Sequence, residues 1–291
     1  MKETIKRSWN YNLIRIYQLK NEPRLIAILL LILIIMYQYA EKIRIMAQMT
    51  SEKIMPYFLP FIMSDYTIAT GVLKILILIA YLLIVCHVSQ KQNGRLFCFL
   101  RTGRIGGIIG DVFFTAFLTA AYCFIIWAFS ILCFLPYVQL GNEWGKIICT
   151  LAYTDAAFQY GEMFVISAKI VEQCSPFYAV VLTILLMFLG CFFLGLLTYF
   201  INMVSMSNVL GIFMAGIFIF ICPIVTYMRI PELYFFSPLS WMSIGSLKLK
   251  TFESLPTIGY ALIMYLILIV FLLVSMVGYA ERADMNDKEI N

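Results

Sequence analysis

Residues able to do chemistry are few in this chain and lie far apart. Histidine occurs once, at His87, and the eight cysteines contain no C-x-x-C pair. A metal site needs several ligands at short, convergent spacing, and imidazole catalysis needs a partner that orients the ring. Neither pattern is written here, so no catalytic or metal-ligating residues are assigned. The sequence has no G-x-S-x-G elbow and no G-x-x-x-x-G-K-[ST] loop. A strained serine nucleophile and a P-loop for ATP are therefore both excluded, and the chain reads as a non-enzyme that holds no cofactor of its own. Cys149 and Cys174 fall in one polar segment, where both a disulfide and two free thiols are open readings.

Two ionisable groups interrupt apolar runs. Lys74 lies inside the run 66–88, and Asp111 opens the run 112–140. A cation within a membrane span costs roughly 2.5 kcal/mol or more, so it either snorkels to water or faces a cavity or partner. Lys74 thus has two readings, a snorkelling residue of a late-starting helix or a cation lining a translocation path. Asp111 suits a capping or interfacial role at the start of its helix. The stretch 89–104 mixes cations with apolar groups: Gln90, Lys91, Gln92, Gly94, Arg95, Leu96, Phe97, Phe99, Leu100, Arg101, Thr102 and Arg104. Apolar side chains rimmed by charge in a short polar loop mark a docking surface. Gly103, Gly106, Gly107 and Gly110 then let the chain turn into the next span.

The elements that must position these groups follow from composition. Of 291 residues 63% are hydrophobic and 13% charged. A soluble fold of this length cannot bury so much apolar surface, because a single core stops growing at about 250–300 residues. The expected fold is an all-α integral membrane protein, one transmembrane domain over 1–291. Six apolar blocks supply spans at about 25–40, 66–88, 112–140, 177–204, 209–228 and 257–280. Asn202, Ser205, Ser207 and Asn208 mark a turn between the fourth and fifth, and Pro223 marks a kink or break in the fifth. Gly211, Ala215 and Gly216 suit close helix packing.

Six spans put both termini on one side. The N-terminal segment, the 89–104 loop and the C-terminal tail hold twelve Lys/Arg, against eight in the loops of the opposite side. Both termini are therefore expected in the cytoplasm of a multi-pass cell-membrane protein. The net charge of +5 is too small to argue for nucleic acid. Residues 4–22 read as an amphipathic helix lying in the membrane interface, with Ile5, Trp9, Leu13 and Ile16 on one face. It serves either as a topogenic anchor or as a surface for a cytoplasmic partner. No small-residue cleavage site follows the first apolar run, so this segment is not read as a secretory signal.

With Gln90, Gln92, Gly94, Leu96, Phe97, Leu100, Arg101, Thr102 and Arg104 in that order, the 89–104 loop resembles the cytoplasmic loop between spans two and three of type-2 ABC exporter permeases. The overall layout resembles that family too, and exporters of phenol-soluble modulins in particular. The loop departs from it by having Gln90 and Gln92 where acidic residues are usual. The resemblance implies that 89–104 forms a coupling helix seated in a separate ATPase subunit, which holds the ATP and Mg. It also implies pairing with a second permease copy, as a homo- or heterodimer. Short re-entrant helices between spans five and six would cap the cavity.

Three function classes compete. The first is the membrane half of an ABC exporter. Its substrate would be apolar or amphipathic, because the spans carry almost no fixed charge; a peptide comes first, a lipid or drug second. The second is a scaffold or sensor that moves nothing. The third is a secondary transporter, which usually shows internal repeats and mid-span carboxylates. The orientation is directly testable. Single cysteines at Asn10, Gln92 and Asp287 in a cysteine-free background should resist an impermeant thiol reagent added outside, whereas cysteines at Glu143 and Ser246 should react. Labelling of position 92 from outside overturns the orientation.

Overall fold

The computed structural model describes residues 22–64, 72–90, 104–154, 156, 166–205, 208–228, 230–249 and 253–289. Among these, every regular element is helical, and the sheet-like pairings are two isolated bridges, Ile54–Val138 and Lys248–Thr257. In chain order the helices are α1 (Pro23–Tyr39), α2 (Glu41–Thr50), α3 (Leu59–Ile62), α4 (Val72–Gln90), α5 (Arg104–Leu132), α6 (Gly145–Tyr153), α7 (Ala168–Gln173), α8 (Pro176–Ser205), α9 (Asn208–Met228) and α10 (Ile258–Glu289). Three short 3-10 turns, Pro231–Phe236, Ser240–Met242 and Ile244–Ser246, lie between α9 and α10.

α8 is the hub. Its sequence has no charged residue, and Pro176 stands at its first position, where a missing N–H costs nothing. It packs against α3, α4, α5, α9, α10 and the Ser240–Met242 turn. Within its most apolar window 61% of the residues are buried inside the protein, against 28% for α5, α9 and α10. Two glycines permit the approach. A Cβ at Gly195 would lie 2.7 Å from both Thr115 of α5 and the Tyr81 hydroxyl of α4; one at Gly190 would lie 2.6 Å from Met242. The other long helices turn large apolar side chains outward, such as Phe124 of α5, Phe213 of α9 and Phe271 of α10, as lipid-facing helices do.

Among the described residues, four helices are long and apolar enough to cross a membrane: α5, α8, α9 and α10. A fifth crossing exists if α1 and α2, bent by 44° at Ala40, count as one span, and Val72–Cys86 of α4 is a shorter apolar helix. The chain is therefore a multi-pass membrane protein. Arg44 fastens the bend, with its guanidinium 3.4 Å above the Tyr37 ring and one N–H donated to Cys133 O at 2.8 Å.

Several sequence expectations shift. The third span begins at Arg104 instead of 112 and ends at Leu132, because Gly106, Gly107 and Gly110 sit within α5 and do not form a turn. Beyond Leu132 the chain runs through turns to residue 139, where Ile54 N donates to Tyr137 O and Gln139 N to Ile54 O, each at 2.9 Å. Pro223 neither breaks nor ends α9, which continues to Met228; packing on α8 and α4 holds it. α10 continues past 280 to Glu289. α8 ends at Ser205 and α9 begins at Asn208, so the division between these spans falls where expected, although Asn202 and Ser205 still belong to α8. There Asn202 of α8 caps α9, its Oδ1 accepting from Gly211 N at 3.1 Å, one of the N–H groups that a helix start leaves without a partner. The interfacial helix, with Ile5, Trp9, Leu13 and Ile16, lies outside the described residues, as do Gln92, Gly94, Arg95, Leu96, Phe97, Leu100 and Arg101 of the coupling loop. Gln90 ends α4 and Arg104 starts α5. Ser246 is buried at 6% exposure and cannot report labelling, so Leu140, at 83%, replaces it.

The α8–α9 contact yields a paired test. A Cβ at Gly211 would lie 2.1 Å from Asn202 Oδ1 and 2.6 Å from the Thr198 carbonyl, whereas one at Gly216 meets nothing within 4 Å. Gly211→Ala should lower the detergent-solubilised melting temperature, since overpacking costs about 1–3 kcal/mol. Gly216→Ala should leave it unchanged or raise it through helix propensity.

Candidate functional site

Among the described residues, polar groups that could serve a function gather in a seam inside the bundle and in a cleft at one end. The seam joins α4, α5 and α8. Tyr199 of α8 donates to Asp111 Oδ2 of α5 at 2.6 Å, with both residues buried. Thr115 donates to Asp111 O, and Thr119 donates to Thr115 O. Thr119 has thereby spent its one hydrogen, so the 2.7 Å contact with Tyr81 has Tyr81 as the donor. Tyr122 donates to Ile77 O at 2.6 Å. An unpaired polar group in such an interior costs several kcal/mol by transfer estimates, roughly 2–7 kcal/mol. These bonds are what permit hydroxyls and a carboxylate to sit among apolar helices.

The pairings also set direction. Ile77 meets Tyr122 while Tyr81 meets Thr119, so α4 and α5 run antiparallel. Thr115 meets Gly195 while Asp111 meets Tyr199, so α5 and α8 are antiparallel too. The C-terminal end of α4, the N-terminal end of α5 and the α8–α9 turn therefore share one end of the bundle. Asp111 is not a cap, because its helix starts seven residues earlier. Lys74, on α4, is 1% exposed, so it does not snorkel: the protein covers it. Sequence reading missed Tyr199, since a tyrosine near a span end looks like an interfacial aromatic. The clue was available: a carboxylate within a span needs a donor.

The opposite end carries a folded cap. Lys169 of α7 pairs with Glu253 at 2.7 Å and donates to Leu247 O at 2.9 Å, clasping α7 to Leu247 and Glu253. Trp144 Nε1 donates to Cys174 O at 3.0 Å, and its ring lies 5.5 Å from that of Phe61. Beside Trp144 opens a cleft of about 620 Å³ with Lys53, Glu143, Cys149 and Cys174 in its wall. Both thiols are free, so the disulfide reading fails in this structure. Burial pushes both up in pKa; Glu143 raises Cys149 further, whereas Lys169 partly offsets the rise at Cys174. At neutral pH they stay protonated and are poor nucleophiles.

Neither place holds a nucleophile with a base beside it, and no group of three or more His, Cys, Asp or Glu among the described residues could hold a metal. No protein-family model, curated protein or solved structure matches the chain. The seam makes a quantitative prediction. Tyr199→Phe removes a buried hydrogen bond to Asp111 Oδ2 and should cost about 1–3 kcal/mol. Thermal unfolding in detergent reads this; Tyr178→Phe, at a half-exposed position, should leave the transition in place.

Proposed function

We propose that the chain is the membrane-spanning half of an ATP-driven exporter of the ABC class. In this reading it has six spans, cytoplasmic termini, an interfacial N-terminal helix and a coupling helix at 89–104. It works with a separate ATPase subunit, which binds ATP and Mg, and with a second permease copy in the lipid bilayer. One observation carries the reading. The cation-laced apolar loop resembles a coupling segment, and it joins two antiparallel helices, α4 and α5, that are locked to each other inside the bundle.

That arrangement gives the mechanism. Closure of the ATPase pair pushes on Leu96, Phe97 and Leu100. The push enters α5 at Arg104 and α4 at Gln90. Seven residues along α5 the Asp111–Tyr199 bond passes it to α8, which packs against α9 and α10. Lys74 is covered in this state and becomes part of the path only when the helices part. The cargo is amphipathic, a helical peptide first and a lipid or hydrophobic drug second. Such a peptide satisfies its own backbone and offers an apolar face to Phe, Met and Leu side chains.

The test is co-purification of the chain with its native partners. An ABC-type ATPase should accompany it. Phe97→Asp, which would bury a charge in the ATPase groove, should weaken that association about tenfold or more while leaving the spans folded. An ATPase retained by Phe97→Asp at the wild-type level, or no ATPase at all, overturns the reading.

A further inference from the structure

The cleft at the cap carries an inference that does not depend on the exporter reading. Its volume of about 620 Å³ falls in the ~300–1,000 Å³ range of ligand sites. Its charges are of two kinds. Lys146 and Glu52 neutralise each other at 2.6 Å. Lys53 and Glu143, both exposed, line the same cleft, and no ion pair joins them to each other or to another described residue. Two opposite charges that do not cancel each other suit a ligand bearing one anion and one ammonium. The raised pKa of Cys149 reports that the Glu143 carboxylate acts within the cleft wall. Trp144, buried and anchored to Cys174 O, supplies a rigid floor.

Depth says where that ligand comes from. Pro176, the first residue of α8, lines the cleft. At about 1.5 Å per residue, the 30 residues of α8 span about 45 Å. That length matches the ~40–45 Å of a bilayer with its head-group layers and exceeds the ~30 Å hydrocarbon core. The start of α8, and the cleft with it, therefore falls at head-group depth. Phe177, Val181 and Leu185, 66%, 47% and 44% exposed, follow at intervals of four residues. They form one apolar stripe leading from the cleft rim toward the middle of the helix.

We propose that the cleft holds the zwitterionic head group of a membrane phospholipid of the phosphoethanolamine class. Lys53 receives the phosphate, Glu143 receives the ammonium, and an acyl chain lies along Phe177, Val181 and Leu185. Glu143 selects the zwitterion, because an anionic lipid offers Lys53 the same phosphate but gives Glu143 no cation.

The experiment is native mass spectrometry of the full chain in detergent, offered an equimolar mixture of phosphatidylethanolamine and phosphatidylglycerol. The wild type should retain phosphatidylethanolamine about fivefold over phosphatidylglycerol, the scale of one exposed ion pair. Glu143→Gln should erase the preference, and Lys53→Gln should weaken retention of both lipids. Both side chains are exposed, so neither change should move the unfolding temperature. Equal retention by the wild type, or a preference that survives Glu143→Gln, overturns the proposal. Glycerophosphoethanolamine binding as tightly as the whole lipid would show a solute site and overturn the membrane-lipid assignment.

Discussion

A helix enclosed by protein inside a membrane has to satisfy every polar group it brings and fit every neighbour that encloses it. α8 meets that constraint with one exception among the described residues, the buried Asn202 Nδ2, which has no hydrogen-bond partner, and the rest of the fold is arranged around this helix. Its own threonines bond back to their helix: Thr183 donates to Ala179 O and Thr198 to Leu194 O. Its glycines admit Tyr81, Thr115 and Met242 to contact distance. Two polar links reach outward from it, Tyr199 to Asp111 and Asn202 to Gly211 N, both buried. The outer helices face the lipid and need only an apolar surface, which is why their outward side chains vary freely among Phe, Leu, Ile and Val.

The seam gives this bundle a mechanical character that apolar packing alone would not. Packed apolar helices can slide by small steps at little cost. A buried hydrogen bond has a definite length and direction, and breaking one costs more than a small slide of apolar surfaces. The bonds among α4, α5 and α8 therefore tie these helices to one another, while α9 and α10 pack closely on α8. The cap is built on different bonds. Its links join segments distant in sequence, such as Lys169 with Glu253 and Lys146 with Glu52. In the proposed exporter the loop at 89–104 drives the near end of the bundle, while the cap meets lipid head groups at the far end.

The two kinds of structure were unequally legible in the sequence. α8 and α9 could be bounded to within one or two residues, because an uncharged stretch too long for one span, with Asn and Ser at its centre, has one natural division. The start of α5 is hard to read because Gly106, Gly107, Gly110 and Asp111 look like a loop and its cap, whereas all four lie within the helix and Asp111 accepts a hydrogen bond from Tyr199. In the sequence Pro223 reads as a kink or break, because the neighbours packed on α9, which continues through it, are invisible to a local rule. The cleft was hidden entirely, since Lys53, Glu143 and Ser175 come together only through tertiary folding.

The central claim is that ATP hydrolysis on a partner moves an amphipathic molecule through this bundle. The most direct measurement is uptake into inside-out vesicles holding the full chain with its co-purified ATPase. With Mg and ATP, a labelled amphipathic helical peptide should accumulate in the lumen, and a sugar or an amino acid should not. ATP-driven accumulation of a hydrophilic solute with none of the peptide, or peptide uptake indifferent to ATP, would contradict the account.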